Sequence, residues 1–223
     1  MLITIPHCTT DATLFEIECP RHLLGATPGA RLGWAVQEAV KKGIDLSGAM
    51  LAGVVLTGAR LDGARLDGAW LTRAALTGAD LEGAVLTSAD LSGAWLDDAR
   101  MEDADLTNAW LTGARLTLAR LIDARLDGAW LTGAQMDGAV LTSARLIGAD
   151  LTRAQLERAV LIGADLTRAN LTGAVLIEAD LTDAWLSRAR LSNANLTGAR
   201  LTRARLDDAD LTGAVLDGAA FAV

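Results

Sequence analysis

The chain has 223 residues, a formal net charge of −8 and 51% hydrophobic residues, which is enough for one or two domains with a core. Aromatic residues make up only 4%, with no Tyr, and two Cys are too few for a secreted disulfide framework. No basic n-region with an apolar stretch and cleavage site opens the chain. The longest charge-free run inside its regular part, Leu46 to Ala59, is 14 residues and too short to span a bilayer, so a soluble, cytoplasmic protein in a reducing setting is expected.

Residues 1–43 form a first unit by composition. They hold all three Pro, both Cys, both His and both Lys, and their four acidic and four basic residues cancel. Met1 to Ile5 and Thr13 to Cys19 read as two short strands, the second alternating Phe15, Ile17 and Cys19 against Glu16 and Glu18. Thr27 followed by Pro28 predicts an N-cap and first helical position. Leu32, Val36, Ala39 and Val40 give an apolar stripe, and Lys41, Lys42 and Gly43 mark the helix end. A hairpin plus a helix is expected here, capping the remainder of the chain.

From residue 44 to 223 the chain repeats every five residues. A large apolar residue occupies 36 successive slots from Leu46 to Phe221: 33 Leu, Met101, Met136 and Phe221. Two positions earlier stands Ala in 34 of 36 cases, with Ile44 and Val54 as exceptions, and the slot after the large residue is Thr, Ser, Asp or Glu in 30. Gly follows in 18. The unit is A-x-L-[TSDE]-G.

A period of five excludes the ordinary elements. On an α-helix each repeat would rotate the Leu by about 140° and leave no apolar face, while in a continuous strand successive Leu would point to opposite sides. The period fits one short extended side followed by a corner, with Ala and Leu inward and the residue between them outward. Gly in the last slot suits the third position of a type II turn; corners without Gly receive no turn type from the sequence.

Ala79-Asp80-Leu81, Ala89-Asp90-Leu91, Ala149-Asp150-Leu151 and Ala209-Asp210-Leu211 carry the signature A-[DN]-L-x-x, and the whole of 44–223 resembles the pentapeptide-repeat family. That resemblance implies an all-β, right-handed quadrilateral parallel β-helix with five residues per side. At four repeats per coil there would be about nine coils, a solenoid roughly 43 Å long at a strand spacing of ~4.8 Å. Many repeats depart from the signature with Arg, Trp or Val in the outward slot. The chain stays in register to its last residues, so a homodimer through the C-terminal coil is expected, using Leu216, Phe221 and Val223.

Candidate chemistry is sparse. Neither His7 nor His22 has a recognisable partner, Cys8 and Cys19 read as free thiols, and the acidic group Asp97, Asp98, Glu102, Asp103 and Asp105 is spread over different sides, as a solvated edge would be. No nucleophile elbow, zincin, P-loop or dinucleotide motif occurs, so no enzyme, metal or cofactor is expected. Folding the repeats at twenty residues per coil places Met50, Trp70, Trp110 and Trp130 in the outward slots of one charge-poor side, with Trp95 on the next. Such a face is either a protein-binding patch or a β-face merely covered by long side chains.

Three functions are compatible with these features. The first is a non-enzymatic scaffold that binds a protein partner through flat faces. The second comes from the resemblance: some family members look like duplex DNA and bind DNA gyrase, protecting it from inhibitors. The eight net charges lie about 5 Å apart along the rod, against about 1.7 Å in DNA, and place this second. The hydroxyl column Thr72, Ser92, Thr112, Thr132, Thr152 and Thr172 suggests a third, ice or crystal-surface binding, which neighbouring Trp and charged residues interrupt.

Overall fold

The structure is a computed structural model and describes residues 1–10 and 12–221. Strand β1 (Leu2–Pro6) pairs antiparallel with β2 (Thr13–Glu18) in a two-stranded sheet. A 3₁₀ turn at Arg21–Leu23 leads to helix α1 (Pro28–Lys41). Thr27 caps the helix, its Oγ1 accepting the Ala30 N–H at 3.2 Å, and Gly43 ends it with φ +66° and its N–H on the Val40 carbonyl. The helix buries Gly33, Ala35, Val36 and Ala39.

The five-residue register closes into a β-solenoid. Every outward slot from Met50 onward bridges in parallel to the residue twenty positions later, beginning with Met50–Trp70 and running to Arg200–Ala220. Four repeats therefore complete one coil, and outward residues twenty apart stack. Inside, each Ala and Leu slot from Leu46 to Leu201 is buried, and no polar or charged residue among the described ones joins them. Towards the C-terminus, Leu206, Leu211 and Leu216 are only partly buried, and Phe221 is exposed. Val223 lies outside the described residues.

The backbone hydrogen bonds account for the signature residue by residue. In the repeat holding Trp70 to Ala74, the Trp70 N–H donates to the Ala49 carbonyl one coil back. The Leu71 and Arg73 N–H groups donate to Asp90 and Ser92 one coil on, and the Ala74 N–H closes the corner on the Leu71 carbonyl. Four of five amides are thus used by the ladder and the turn. The fifth, in the Thr/Ser slot, has no backbone partner, and an Asp or Asn two residues earlier takes it: Ser92 N–H to Asp90 at 2.9 Å, Thr152 to Asp150 at 2.9 Å, Thr172 to Asn170 at 3.2 Å. A short acceptor in the outward slot is therefore what the fold itself prefers.

The corners are all alike. The residue before each corner Ala has φ near +60° from Gly48 to Gly218, whether it is Gly or one of seventeen other residues. Arg73, Ser88, Asp98 and Leu118 take the same type II geometry as Gly48; each corner is closed by the N–H of the following residue on the carbonyl of the large apolar residue, and up to Gly198 the corner residue's own N–H is also tied to the next coil. None of the seventeen is β-branched, the class that this region excludes most strongly.

The N-terminal unit docks on the first coil along two of its sides. Pro6 accepts the Met50 N–H at 2.9 Å and Gly48 accepts the Cys8 N–H at 2.7 Å, which extends the hairpin antiparallel to the solenoid edge. On the next side the Val55 N–H donates to Gly29 of α1 at 3.2 Å. Gly29 and Gly33 lie four apart on one helix face. A Cβ on Gly33 would fall 1.8 Å from the Val55 carbonyl oxygen, so this pair of glycines sets how closely the helix approaches. The His7 ring packs against Gly48, whose Cβ would collide with it, and its Nδ1 accepts the Thr9 N–H at 3.1 Å; Cys8 and Cys19 are free thiols.

Candidate protein-binding face

One side of the solenoid carries the outward column Met50, Trp70, Asp90, Trp110, Trp130, Asp150, Asn170, Arg190 and Asp210, each bridged to the next. Trp70, Trp110 and Trp130 are 45%, 56% and 53% exposed, large values for indoles in a regular ladder. Trp110 and Trp130 stand one coil apart and, with Thr112, border one groove; Trp70 and Trp110 stand two coils apart with Asp90 between them and, with Ser88, border another. Met50 neighbours Trp70 at the end nearest the hairpin. Trp95 is equally exposed but belongs to the adjoining column, between Ala75 and Arg115, and borders neither groove.

The indoles sit in the slot where Asp or Asn satisfies the fifth amide. Tryptophan has no acceptor to offer there. Trp at three positions of one column therefore forgoes the local bond that the same column makes at Asp90, Asp150, Asn170 and Asp210. A residue that the ladder does not use, exposed beside its like, is a feature of the surface.

The electrostatics of this side differ from those of its neighbours. Two sides away, Arg100 reaches Asp80 at 3.2 Å and Glu82 at 2.6 Å, and Arg120 holds Glu102. Burial raises the Glu102 pKa, but the Arg120 hydrogen bond and both guanidinium charges outweigh it and leave the carboxyl below the ordinary glutamate range. Asp97 pairs with Arg115 at 3.0 Å and Asp105 with Arg125 at 3.4 Å, so the acidic group of the sequence is distributed over several sides and largely neutralised coil by coil. Asp90 and Asp150 instead bind hydroxyls and amides. Thr72 Oγ1 donates to Asp90 at 3.1 Å and Asn170 Nδ2 to Asp150 at 3.3 Å, and among the described residues neither carboxylate has an arginine within ion-pair reach.

Half of the hydroxyl column is engaged within the protein: Thr72 donates to Asp90 on the next coil, Thr172 to Asn170 at 2.7 Å and Thr152 to Asp150, each of the last two to a residue two positions earlier. One further indole escapes the sequence-derived candidates: Trp185, 47% exposed on a third column, where the Arg205 guanidinium lies 4.7 Å from its ring centroid. The five-residue register by itself puts Trp185 in an outward slot, so a signal for it exists in the sequence. Leu118, exposed at a corner, is likewise absent from those candidates.

The profile described as Pentapeptide repeats matches residues 42–78, 66–103, 99–134, 119–158, 154–193 and 189–222. The chain belongs to the pentapeptide-repeat family. Among solved structures it is similar to HetL, a pentapeptide repeat protein involved in heterocyst differentiation regulation from the cyanobacterium Nostoc sp. strain PCC 7120. That match has 34% identity, 83% of this chain and 93% of the other covered, and a TM-score of 0.51. It shares its fold with a trypsin-treated variant of QnrB1, a plasmid-mediated fluoroquinolone resistance protein, at 24% identity, with 76% and 92% covered and a TM-score of 0.55. No curated protein sequence matches the chain. Among the described residues no helix is long and apolar enough to cross a membrane.

Proposed function

We propose that this pentapeptide-repeat protein is a non-enzymatic scaffold that binds a protein partner through the face carrying Met50, Trp70, Trp110 and Trp130, with Trp95 at its margin. The observation that supports this reading is the run of exposed indoles in slots where the ladder favours Asp or Asn. Burying clustered indoles in a partner is a common source of binding energy. The proposal includes a right-handed solenoid of about nine coils over residues 44–223, a cap over 1–43 and a cytoplasmic setting. It also includes a homodimer through the last coil, where Leu216 is partly buried and Phe221 exposed.

Replacing Trp110 and Trp130 together with Thr tests the face. The double variant should keep its melting temperature within a few degrees and lose association with the partner captured by the unaltered protein. Unchanged association would refute the reading. Sedimentation at micromolar concentration, with Phe221→Ser as control, tests the dimer. Protection of DNA gyrase is the second reading, favoured by the net charge of −8. A supercoiling assay with a quinolone separates the two. Arginines that pair with carboxylates on successive coils, such as Arg100 and Arg120, reduce the negative charge along their side and weigh against DNA mimicry.

A further inference from the structure

We propose that the slot between Trp70 and Trp110 receives an arginine side chain from an extended basic segment of the partner, with Asp90 as its counter-charge. This rests on the protein-binding reading and specifies the chemistry recognised. The slot is lined by Trp70, Ser88, Asp90 and Trp110. Coils are spaced by about 4.8 Å, so the two indoles are anchored about 9.6 Å apart. Between parallel indoles at that spacing a cation held midway would lie about 4.8 Å from each, inside the ~6 Å range of cation–π attraction. A planar guanidinium can stack on one indole and stay within that range of the other while donating to the carboxylate, a combination that suits arginine better than an ammonium.

Charge complementarity selects the occupant. Asp90 accepts from the Ser92 N–H and the Thr72 hydroxyl, both neutral, and has no ion-pair partner among the described residues, although many carboxylates on the other sides have an arginine beside them. The chain also contains the corresponding contact within itself: Arg205, one coil beyond Trp185, lies over that indole at 4.7 Å. Between Trp70 and Trp110 the coil position that could have supplied such an arginine holds Asp90 instead. The pattern recurs at Asp150, next to Trp130 and likewise without an arginine partner. Asp90 and Asp150 are three coils apart, about 14 Å, and an extended peptide covers about 13 Å in four residues and returns its side chains to the same face. The ligand is therefore an extended segment with arginines at positions i and i+4, laid along the column.

The test uses the full chain labelled with ¹⁵N, its indole N–H resonances assigned by single Trp→Phe variants, and the peptide acetyl-Arg-Thr-Ser-Thr-Arg-amide. The Trp70 and Trp110 resonances should shift to saturation with this peptide and stay in place with the version carrying citrulline for both arginines. Asp90→Asn should weaken binding about tenfold, as expected for loss of a charged hydrogen-bonding partner, while Asp98→Asn on another side should not. Equal shifts with the citrulline peptide, or no shift with either, would overturn the proposal. So would saturation by cellohexaose in place of the arginine peptide, which would mark the column as a sugar platform. Partner capture separates the two levels. If the Trp110→Thr, Trp130→Thr variant loses the partner but Asp90→Asn, Asp150→Asn keeps it, the protein-binding face stands and arginine recognition falls; if both keep it, the face itself falls.

Discussion

Truncating Leu126 to Ala measures how rigidly the ladder holds its core. Leu126 is fully buried, and its slot stacks between Leu106 and Leu146 one coil to either side. Its own N–H donates to the Arg145 carbonyl at 2.6 Å, and the Arg125 carbonyl beside it accepts from Leu106 at 2.7 Å. With the backbone pinned to both neighbouring coils, the walls cannot collapse into the space left by the missing isobutyl atoms. Leu→Ala in buried sites costs about 2–5 kcal/mol, rising with the residual cavity, and the restrained walls place this variant at about 3–5 kcal/mol. Leu206→Ala is the internal comparison: same residue, same slot, but partly exposed in the last described coil, so about 1–2 kcal/mol is expected. Guanidinium denaturation monitored by circular dichroism gives both values. Equal costs at the two positions, or less than about 1 kcal/mol at Leu126, would refute the assignment of a close-packed interior held by the ladder. Leu126→Asp, which leaves a buried charge with no partner, should prevent folding of the coils around it.

Other consequences can be measured in the same material. Gly33→Ala should cost about 1–3 kcal/mol and loosen α1 from the first coil, seen as faster amide exchange at Val55, because the new methyl meets the Val55 carbonyl. Leu118→Gly should raise stability by about 0.5–1 kcal/mol, since relief of the φ +59° leucine exceeds the added chain entropy of glycine. Acid should destabilise the last coils over a defined window. Hydrogen bonds from Ser192 and Thr212 lower the Asp210 pKa from 3.8 to about 2. The folded state thus favours the ionised form; this contribution is complete above the unfolded value near 4 and disappears as pH falls through 2. Glu102, Asp180 and Asp183 are displaced in the same direction, and Ser192→Ala should shrink the effect at Asp210.

The five-residue register was legible because each slot has one physical duty. Ala and Leu must fill a narrow interior, so nearly every one of them announces its inward direction. Outward slots carry weaker information. Asp90 and Asp150 look like ordinary signature residues in sequence, and only stacking against Trp70, Trp110 and Trp130 distinguishes them from Asp80, which Arg100 engages. Similarly, Gly29 and Gly33 read as interruptions of a helix until Val55 is seen against them.

The amino-acid sequence by itself determined the period, the inward faces and the segments of the hairpin and helix, since these arise from local polarity and chain geometry. The family resemblance implied coils of twenty residues, which the parallel bridges bear out; the tertiary structure decided what no five-residue window contains, that all corners adopt one turn and which partners each outward side chain meets. Neighbours twenty residues apart meet only through the inter-coil hydrogen bonds. Those bonds, made by nearly every repeat at once, hold Arg73 and Leu118 in glycine-like conformations and set two indoles on either side of a carboxylate that has no ion-pair partner among the described residues.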